Sequence, residues 1–254
     1  MRFPEYFSRK NIVTTVLVLA GAGLCVRLGI WQLDRLAQRR AFNEHVTTVQ
    51  QMPMLTLPAD GDLKAQEYRG VEVRGTFDFD NQLALRNQVH DGQYGYHLLT
   101  PLRVLSAEGA ADATSVVLVD RGWIPAAGNE LPQDWRRYDV PGEADVVGVI
   151  RLAQGPAPLG SLGPQQTESA SSSTPFRLYV DPTELSRQLP YTLMPIYVQA
   201  TGAGANSQAP IAVAPVLDLS EGPHLGYAMQ WFGFAVILLI GYVVSRRRQE
   251  RAEQ

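Results

Sequence analysis

One histidine lies beside aromatic side chains at helical spacing near the C-terminal end of the chain. His224 is followed by Tyr227, Ala228 and Trp231, so a helix would bring these side chains onto one face. Imidazole is a standard axial ligand of haem iron, and a small residue one turn away leaves space for a flat macrocycle against which aromatic rings can pack. The alternative is an interfacial histidine beside an aromatic belt. Haem binding and an interfacial position are therefore the two interpretations of His224.

A second candidate is an acidic and a basic residue next to each other. Asp120 and Arg121 could form a catalytic pair, but such pairs more often stabilise a turn. His97 lies in an apolar strand, which favours a packed, hydrogen-bonded side chain over a ligand. The sequence lacks the G-x-S-x-G motif of hydrolases and the glycine-rich loops that bind nucleotides. We therefore predict that the protein is not an enzyme, and a hydrolase built on Asp120 and Arg121 is the weaker reading.

The histidines and the cysteine exclude several other classes of site. The four histidines, at positions 45, 90, 97 and 224, are too scattered for a zinc site. The single cysteine, Cys25, rules out a disulfide or a CxxC redox pair within the chain and disfavours copper delivery. The net charge of −3, with no basic run outside the apolar flanks, makes nucleic acid an improbable partner.

The candidate histidine lies at the head of an apolar segment, Leu225 to Val244. Twenty residues at ~1.5 Å each reach ~30 Å, the hydrocarbon thickness of a bilayer. Gln230 is its only strongly polar side chain, and four arginines follow it, at positions 246, 247, 248 and 251. This pattern predicts a transmembrane helix whose C-terminal end is cytoplasmic.

A second apolar segment, residues 12 to 31, lies near the N-terminus. Its one charge, Arg27, lies about one turn below Trp31 and can extend to the membrane surface. Ala20 and Ala22 also fit a signal-peptide cleavage site, but the apolar run continues to Trp31, which favours an uncleaved anchor. Gly21, Cys25 and Gly29 give this segment a face of small residues that permits close approach of a neighbouring helix.

The charges that flank the two segments predict the topology. Seven lysines and arginines flank the ends of the chain, whereas three, Arg35, Arg39 and Arg40, flank the connecting region. Both termini are therefore expected in the cytoplasm and the middle region in the periplasm of a bacterium. The predicted organisation is a cytoplasmic N-terminus (1–11), a first transmembrane helix (12–33), a periplasmic β-rich domain (34–223), a second transmembrane helix (224–244) and a cytoplasmic C-terminus (245–254).

The middle region has the pattern of an antiparallel β-sheet or small barrel. Its first residues, up to about Gln51, lack glycine and proline and extend the first helix, and residues 181–188 predict one short helix capped by Asp181. Residues 106–114, 155–175 and 201–210 have the composition of loops. Seven runs rich in β-branched and aromatic residues predict strands: 69–77, 82–87, 94–104, 115–124, 145–152, 176–180 and 195–200.

Seven stretches of the chain resemble one protein family, the Surfeit locus protein one family. The most specific are the first and the last, because each combines tryptophan with glutamine or histidine at a membrane boundary. They are GIWQLDR (29–35), YRGVEVRGTF (68–77), GYHLLTPL (95–102), VDRGWIP (119–125), GVIRL (148–152), PIYV (195–198) and HLGYAMQWFG (224–233).

The resemblance implies two membrane helices that hold an extracytoplasmic β-rich domain, without catalytic turnover. Members of the family assist assembly of haem a-containing cytochrome c oxidase, and bacterial members are associated with binding haem a and passing it toward subunit I. The positions that match the proposed haem-binding residues are His224 and Trp231. Haem a synthase, oxidase subunit I and the lipid bilayer are the implied partners.

The resemblance also suggests further haem-contacting residues, and the sequence departs from the family pattern at one position. Tyr227 could pack against a haem, and Arg27 or Arg35 could pair with a propionate; a polar contact between Arg27 and Gln230 is the competing use. Family members commonly have a polar residue directly before the histidine, whereas Gly222 and Pro223 stand here. A scaffold that binds no cofactor and holds oxidase subunits or haem a synthase together is the alternative function.

Overall fold

The computed structural model describes residues 9–59, 61–105, 111–153, 175–202 and 209–252. The chain divides into two compact units, one formed by Met1–His45 with Asp218–Gln254 and the other by Val46–Leu217. The α-helices are α1 (Arg9–Gln51), α2 (Pro182–Leu185) and α3 (His224–Ala252). The strands are β1 (Leu55–Leu57), β2 (Gly70–Phe77), β3 (Leu83–His90), β4 (Gln93–Leu105), β5 (Ala111–Pro125), β6 (Glu143–Arg151), β7 (Phe176–Arg177) and β8 (Leu193–Ala200).

The first unit contains most of the two long helices, which run antiparallel. Both are long and apolar enough to cross a bilayer, judged by length and composition. Gln32 of α1 bonds to His224 at the start of α3, and Thr15 of α1 bonds to Tyr242 near its end, which defines the antiparallel pairing. The predicted extension of α1 to Gln51 is confirmed. The helix α3 continues to Ala252, through the arginines that follow Val244.

Small residues bring α1 and α3 together, as the sequence predicts for α1. Ala22 and Cys25 of α1 are buried with Ala235 of α3, and Trp231 packs against them. A Cβ atom on Gly29 would lie 2.6 Å from the Phe232 ring, so only glycine permits this contact. The glycines of α3 do not make such a close contact, because nothing would lie within 4 Å of a Cβ atom on Gly226, Gly233 or Gly241.

The second unit is built on a closed sheet. Strands β2, β6, β8, β5 and β4 pair in that order, and β4 pairs again with β2, which closes a five-stranded barrel. Strand β1 adds to β2, while β3 and β7 extend the sheet beyond β4. The predicted small barrel is confirmed, and most of its strand pairs are antiparallel as expected, but the pairs β1–β2, β3–β7 and β5–β8 are parallel.

The barrel interior is the main hydrophobic core of this unit. Alternate residues of each strand point inward, as the two-residue period of a strand requires. The interior contains Val71, Val73, Leu102, Val104, Val117, Val119, Val146, Ile150, Ile196 and Val198, which are buried together with Leu57. Outside the barrel, Val180 and Leu185 pack on Leu99, Leu118 and Tyr197.

The elements around the barrel differ in detail from the sequence-based expectation. Each of the seven predicted strands corresponds to an observed one, and the three-residue strand β1, between Pro53 and Pro58, was missed. The predicted helix 181–188 is a single turn, α2, whose first amides bond to the Asp181 carboxylate. Of the three predicted loops, 106–110, 154–174 and 203–208 lie outside the described residues, and residues 111–114 belong to β5.

Candidate functional site

His224 is the first residue of α3, and the turn before it is shaped by glycine and proline. Gly222 has a φ of +68°, a left-handed conformation that favours glycine. The Pro223 carbonyl accepts a hydrogen bond from the Tyr227 amide and so begins the helix. The helix therefore starts at His224, directly after glycine and proline.

A side chain from the other helix orients the imidazole. The Nδ1 atom of His224 lies 2.8 Å from Oε1 of Gln32 in α1. Because the amide oxygen can only accept, Nδ1 carries the proton in this hydrogen bond and Nε2 of a neutral ring is left with its lone pair. Gln32 is buried, 9% exposed, and His224 is half-buried. This is the arrangement in which a histidine ligand is held by a second side chain while its other nitrogen is available to a metal.

The Nε2 side of the ring is bordered by Gly222. A Cβ atom on Gly222 would lie 3.5 Å from Cδ2 and 3.6 Å from Nε2 of His224. Within the described residues, no hydrogen bond to Nε2 is present. Glycine at this position therefore leaves this edge of the ring uncovered by a side chain.

The two aromatic residues predicted for the site follow His224 along α3. Tyr227 is 46% exposed, so nearly half of its surface is accessible to a ligand. Trp231 lies two turns from His224, packs against Ala22 and Cys25 of α1, and meets Phe234 edge to face at 5.9 Å. Trp231 is thus fixed in the helix pair, whereas Tyr227 lies at its flank.

The structure does not bring Arg27 to His224. Gln32 marks the side of α1 that faces His224, and Arg27, five residues earlier, projects from the opposite side of the helix. The guanidinium of Arg35 lies over the Trp31 ring, 5.6 Å from its centroid. Within the described part of the chain, no contact between Arg27 and Gln230 is present, and both side chains are exposed.

The segment that leads into α3 is attached to α1 by polar contacts. Arg40 makes a two-pronged salt bridge to Glu221 at 2.8 and 2.9 Å. Arg39 lies 3.4 Å from the Asp218 carboxylate, and the Asn43 amide donates to the Leu219 carbonyl at 2.6 Å. These contacts place Gly222 and Pro223, and therefore the start of α3, against a fixed part of α1.

The second sequence candidate, Asp120 with Arg121, is not a pair in space. The Asp120 carboxylate lies 2.8 Å from Nδ1 of His97 and accepts a hydrogen bond from the Gly122 amide. The expectation of a packed, hydrogen-bonded His97 is therefore confirmed. Both side chains are nearly buried within the strands that carry them.

Arg121 points to the other side of β5. Its guanidinium lies over the rings of both Phe77 and Phe79 and donates to the Gln82 amide oxygen and the Tyr138 carbonyl. Burial lowers the pKa of Arg121 to about 10, and the nearby Asp139 opposes this shift. Arg121 is thus a buried structural cation rather than a partner of Asp120.

The described residues contain no group of three or more histidine, cysteine, aspartate or glutamate side chains that could hold a metal ion. The donor at the α1–α3 site is one imidazole. A single neutral imidazole nitrogen would serve as a protein ligand of a haem iron, because the macrocycle supplies most of the other ligands.

The comparison with known proteins agrees with this architecture. The model of the SURF1 family matches residues 19–236, a range that includes Gln32, the barrel and His224. The chain belongs to the SURF1 family. The match spans α1 from residue 19 onward, every strand and the first turns of α3.

Named relatives of this SURF1 family member occur in bacteria and in mammals. The SURF1-like protein of Rickettsia felis is 26% identical, and the alignment covers 92% of this chain and 97% of that protein. Surfeit locus protein 1 of Mus musculus is 25% identical over 81% of this chain and 67% of its own length. The Homo sapiens protein of the same name is 24% identical over 82% of this chain and 69% of its own.

Gln32 is the site residue that the sequence-based reasoning did not select. The sequence does contain an indication that Gln32 faces the other helix. Ala22, Cys25 and Gly29 form a face of small residues on α1, and Gln32 continues this face at helical spacing. A polar side chain on a face that packs against another membrane helix requires a partner. The partner could not be chosen without the helix pairing.

Proposed function

We propose that this chain is a membrane-anchored assembly factor for haem a-containing cytochrome c oxidase that holds haem a at His224 and assists its insertion into subunit I. The observation that carries the proposal is the hydrogen bond between Gln32 and Nδ1 of His224, which leaves Nε2 for the iron. Membership of the SURF1 family supports the role in assembly.

The proposed site has one protein ligand and an open side. His224 supplies the axial nitrogen, Gln32 sets the orientation of the ring, and the exposed Tyr227 gives an aromatic surface beside it. Trp231 contributes by fixing α3 against α1 near this surface. When bound, the haem supplies the iron and porphyrin that the oxidase later uses. A single ligand at an open site suits temporary holding, because release requires one bond to break.

We do not propose that Arg27 pairs with a haem propionate, because it lies on the far side of α1 from Gln32. Arg39 and Arg40 are already paired with Asp218 and Glu221, and the Arg35 guanidinium is at Trp31. The propionates are expected to extend into the headgroup region, where water solvates them.

The proposal includes the placement of the chain in a bacterial inner membrane with both termini in the cytoplasm. The exposed surfaces of α1 and α3 are apolar over lengths that match a bilayer. Seven lysines and arginines flank the ends of the chain and three, Arg35, Arg39 and Arg40, flank the connecting region, which supports cytoplasmic termini. The barrel unit is then periplasmic, and we propose no catalytic turnover for it.

The test is the haem content of the protein purified from a host that makes haem a. The wild-type chain and a His45→Ala variant, which changes an exposed histidine of α1, should carry the absorbance of bound haem. His224→Ala should lose it while remaining in the membrane fraction. Equal haem content in wild type and His224→Ala would overturn the proposed ligand.

A scaffold that binds no cofactor is the second candidate, and the same hydrogen bond gives it support. Polar contacts between membrane helices also serve to hold the helices together. In that case His224 and Gln32 are only an interhelical bond. Complementation of a deletion strain separates the two functions: a scaffold restores oxidase assembly with His224→Ala whenever the variant is folded, whereas a haem carrier does not.

A further inference from the structure

Two arginines on the outward side of α1 are not paired with carboxylates. Four arginines occur between residues 27 and 40 of this helix. Arg39 and Arg40 form salt bridges with Asp218 and Glu221. In the part of the chain that the structure describes, Arg27 and Arg35 form no ion pair, and both are exposed.

The two unpaired arginines lie on either side of a tryptophan. Arg27, Trp31 and Arg35 are spaced by four residues each, so they form a row along one side of the helix. The Arg35 guanidinium stacks on the Trp31 ring at 5.6 Å, and Trp31 is 42% exposed. Tryptophan at the end of a membrane helix marks the depth of the lipid headgroups.

This row has the chemistry of a phosphate site at the membrane surface. Arg35 approaches the headgroup depth from the aqueous side, and Arg27 can extend to it from about one turn inside. Guanidinium groups bind phosphate oxygens with two parallel hydrogen bonds. An anion at that depth would also stabilise the Arg27 guanidinium, because a charge close to the apolar part of a membrane is costly when it is unpaired.

We propose that Arg27, Trp31 and Arg35 form a binding site for the headgroup of an anionic phospholipid. The inference rests on the membrane placement proposed above. Gln38 accepts a hydrogen bond from Arg35. Asp34 is the one acidic residue of α1 between Arg27 and Gln38, and among the described contacts no ion pair joins it to either arginine. Asp34 opposes the anion, so its removal should strengthen binding.

A second copy of this chain does not fit the same surface. In a symmetric parallel dimer through this side of α1, Arg27 would face Arg27 of the other copy, and like charges repel. A foreign membrane helix with a carboxylate would fit the charge. Such a helix would not explain the position of Trp31 beneath the Arg35 guanidinium, at the depth of the lipid phosphates.

The test uses the full chain in neutral detergent, titrated with phosphatidylglycerol or phosphatidylcholine and followed by native mass spectrometry. Wild-type protein should bind phosphatidylglycerol in preference to phosphatidylcholine. Each of Arg27→Gln and Arg35→Gln should lower that preference about fivefold, and Asp34→Asn should raise it. The matched control Arg39→Gln removes a cation that is already paired and should leave the preference unchanged.

Three further readouts decide the inference. If the Arg39→Gln control loses as much preference for phosphatidylglycerol as Arg27→Gln and Arg35→Gln do, the lipid is attracted by bulk charge. That result would overturn the proposed site. An unchanged preference in the Arg27→Gln, Arg35→Gln double variant would overturn it as well. Loss of haem from Arg27→Gln and Arg35→Gln, without a change in their lipid preference, would assign the row of Arg27, Trp31 and Arg35 to the cofactor instead. Extraction of the wild-type chain from membranes by alkaline carbonate would contradict the membrane placement itself, which is a separate result.

Discussion

The Nδ1 atom of His224 and the Oε1 atom of Gln32 lie 2.8 Å apart and join the start of α3 to α1. One hydrogen bond thus connects the two sequence stretches that most specifically resemble the family, HLGYAMQWFG and GIWQLDR. It also fixes the orientation of the imidazole. The role of Gln32 is therefore testable apart from that of His224.

Replacing Gln32 by leucine removes the acceptor and keeps a similar volume. We expect haem a affinity to fall roughly 10- to 100-fold, the usual effect of losing a partner that orients a metal-bound histidine. Titration of the apoprotein with haem a, followed at the Soret band, gives the affinity. Gln32→Glu keeps an acceptor oxygen and should bind more tightly than Gln32→Leu. Equal affinity in wild type and Gln32→Leu would leave Gln32 as a helix-packing residue only.

Gly29→Ala tests the close contact between the helices. The new Cβ atom would lie 2.6 Å from the Phe232 ring, so the ring or the helices must move. Overpacking of this kind costs about 1–3 kcal/mol, measured as a loss of thermal stability in detergent. Gly23→Ala is the matched control, because nothing lies within 4 Å of its Cβ position. Similar stability of the two variants would contradict the observed helix pairing.

The seven strands and the long helix α1 could be predicted from the sequence, because both follow from local periodicity. Closure of the barrel could not, since it depends on the pairing of β2 with β4 and of β5 with β8, which are distant in sequence. His224 could be selected from its helical face. Its partner Gln32 could not be predicted, because it is 192 positions away and the pairing of α1 with α3 is not visible in the sequence. The position of Arg27, on the side of α1 that faces away from His224, depends on the same helix pairing.

The barrel unit should lose stability at low pH through Asp78. Burial would raise the pKa of this carboxylate, but hydrogen bonds from Tyr191, Asn81 and Arg103 lower it below its ordinary value. A folded-state pKa below the unfolded value gives stability that is present above the unfolded pKa and lost as the pH falls through the folded pKa. Urea unfolding between about pH 5 and about pH 2 should show a smaller loss in Asp78→Asn than in wild type. An identical pH dependence in both would exclude Asp78 as a contributor.

Reporter fusions test the proposed topology. A fluorescent protein fused after Ala252 should fluoresce, because it folds in the cytoplasm, and alkaline phosphatase at the same position should be inactive. Alkaline phosphatase inserted within the stretch 155–173, between β6 and β7, should be active if the barrel unit is periplasmic. The reverse pattern would place the termini outside and contradict the charge argument.

Restoration of the iron ligand by free imidazole tests the central claim most directly. His224→Gly removes the side chain, and added imidazole can occupy the vacated position beside Gln32. We predict that purified His224→Gly binds haem a weakly, and that imidazole restores the wild-type Soret maximum and affinity only while Gln32 is present. Wild-type haem binding by His224→Gly without imidazole would contradict coordination by His224.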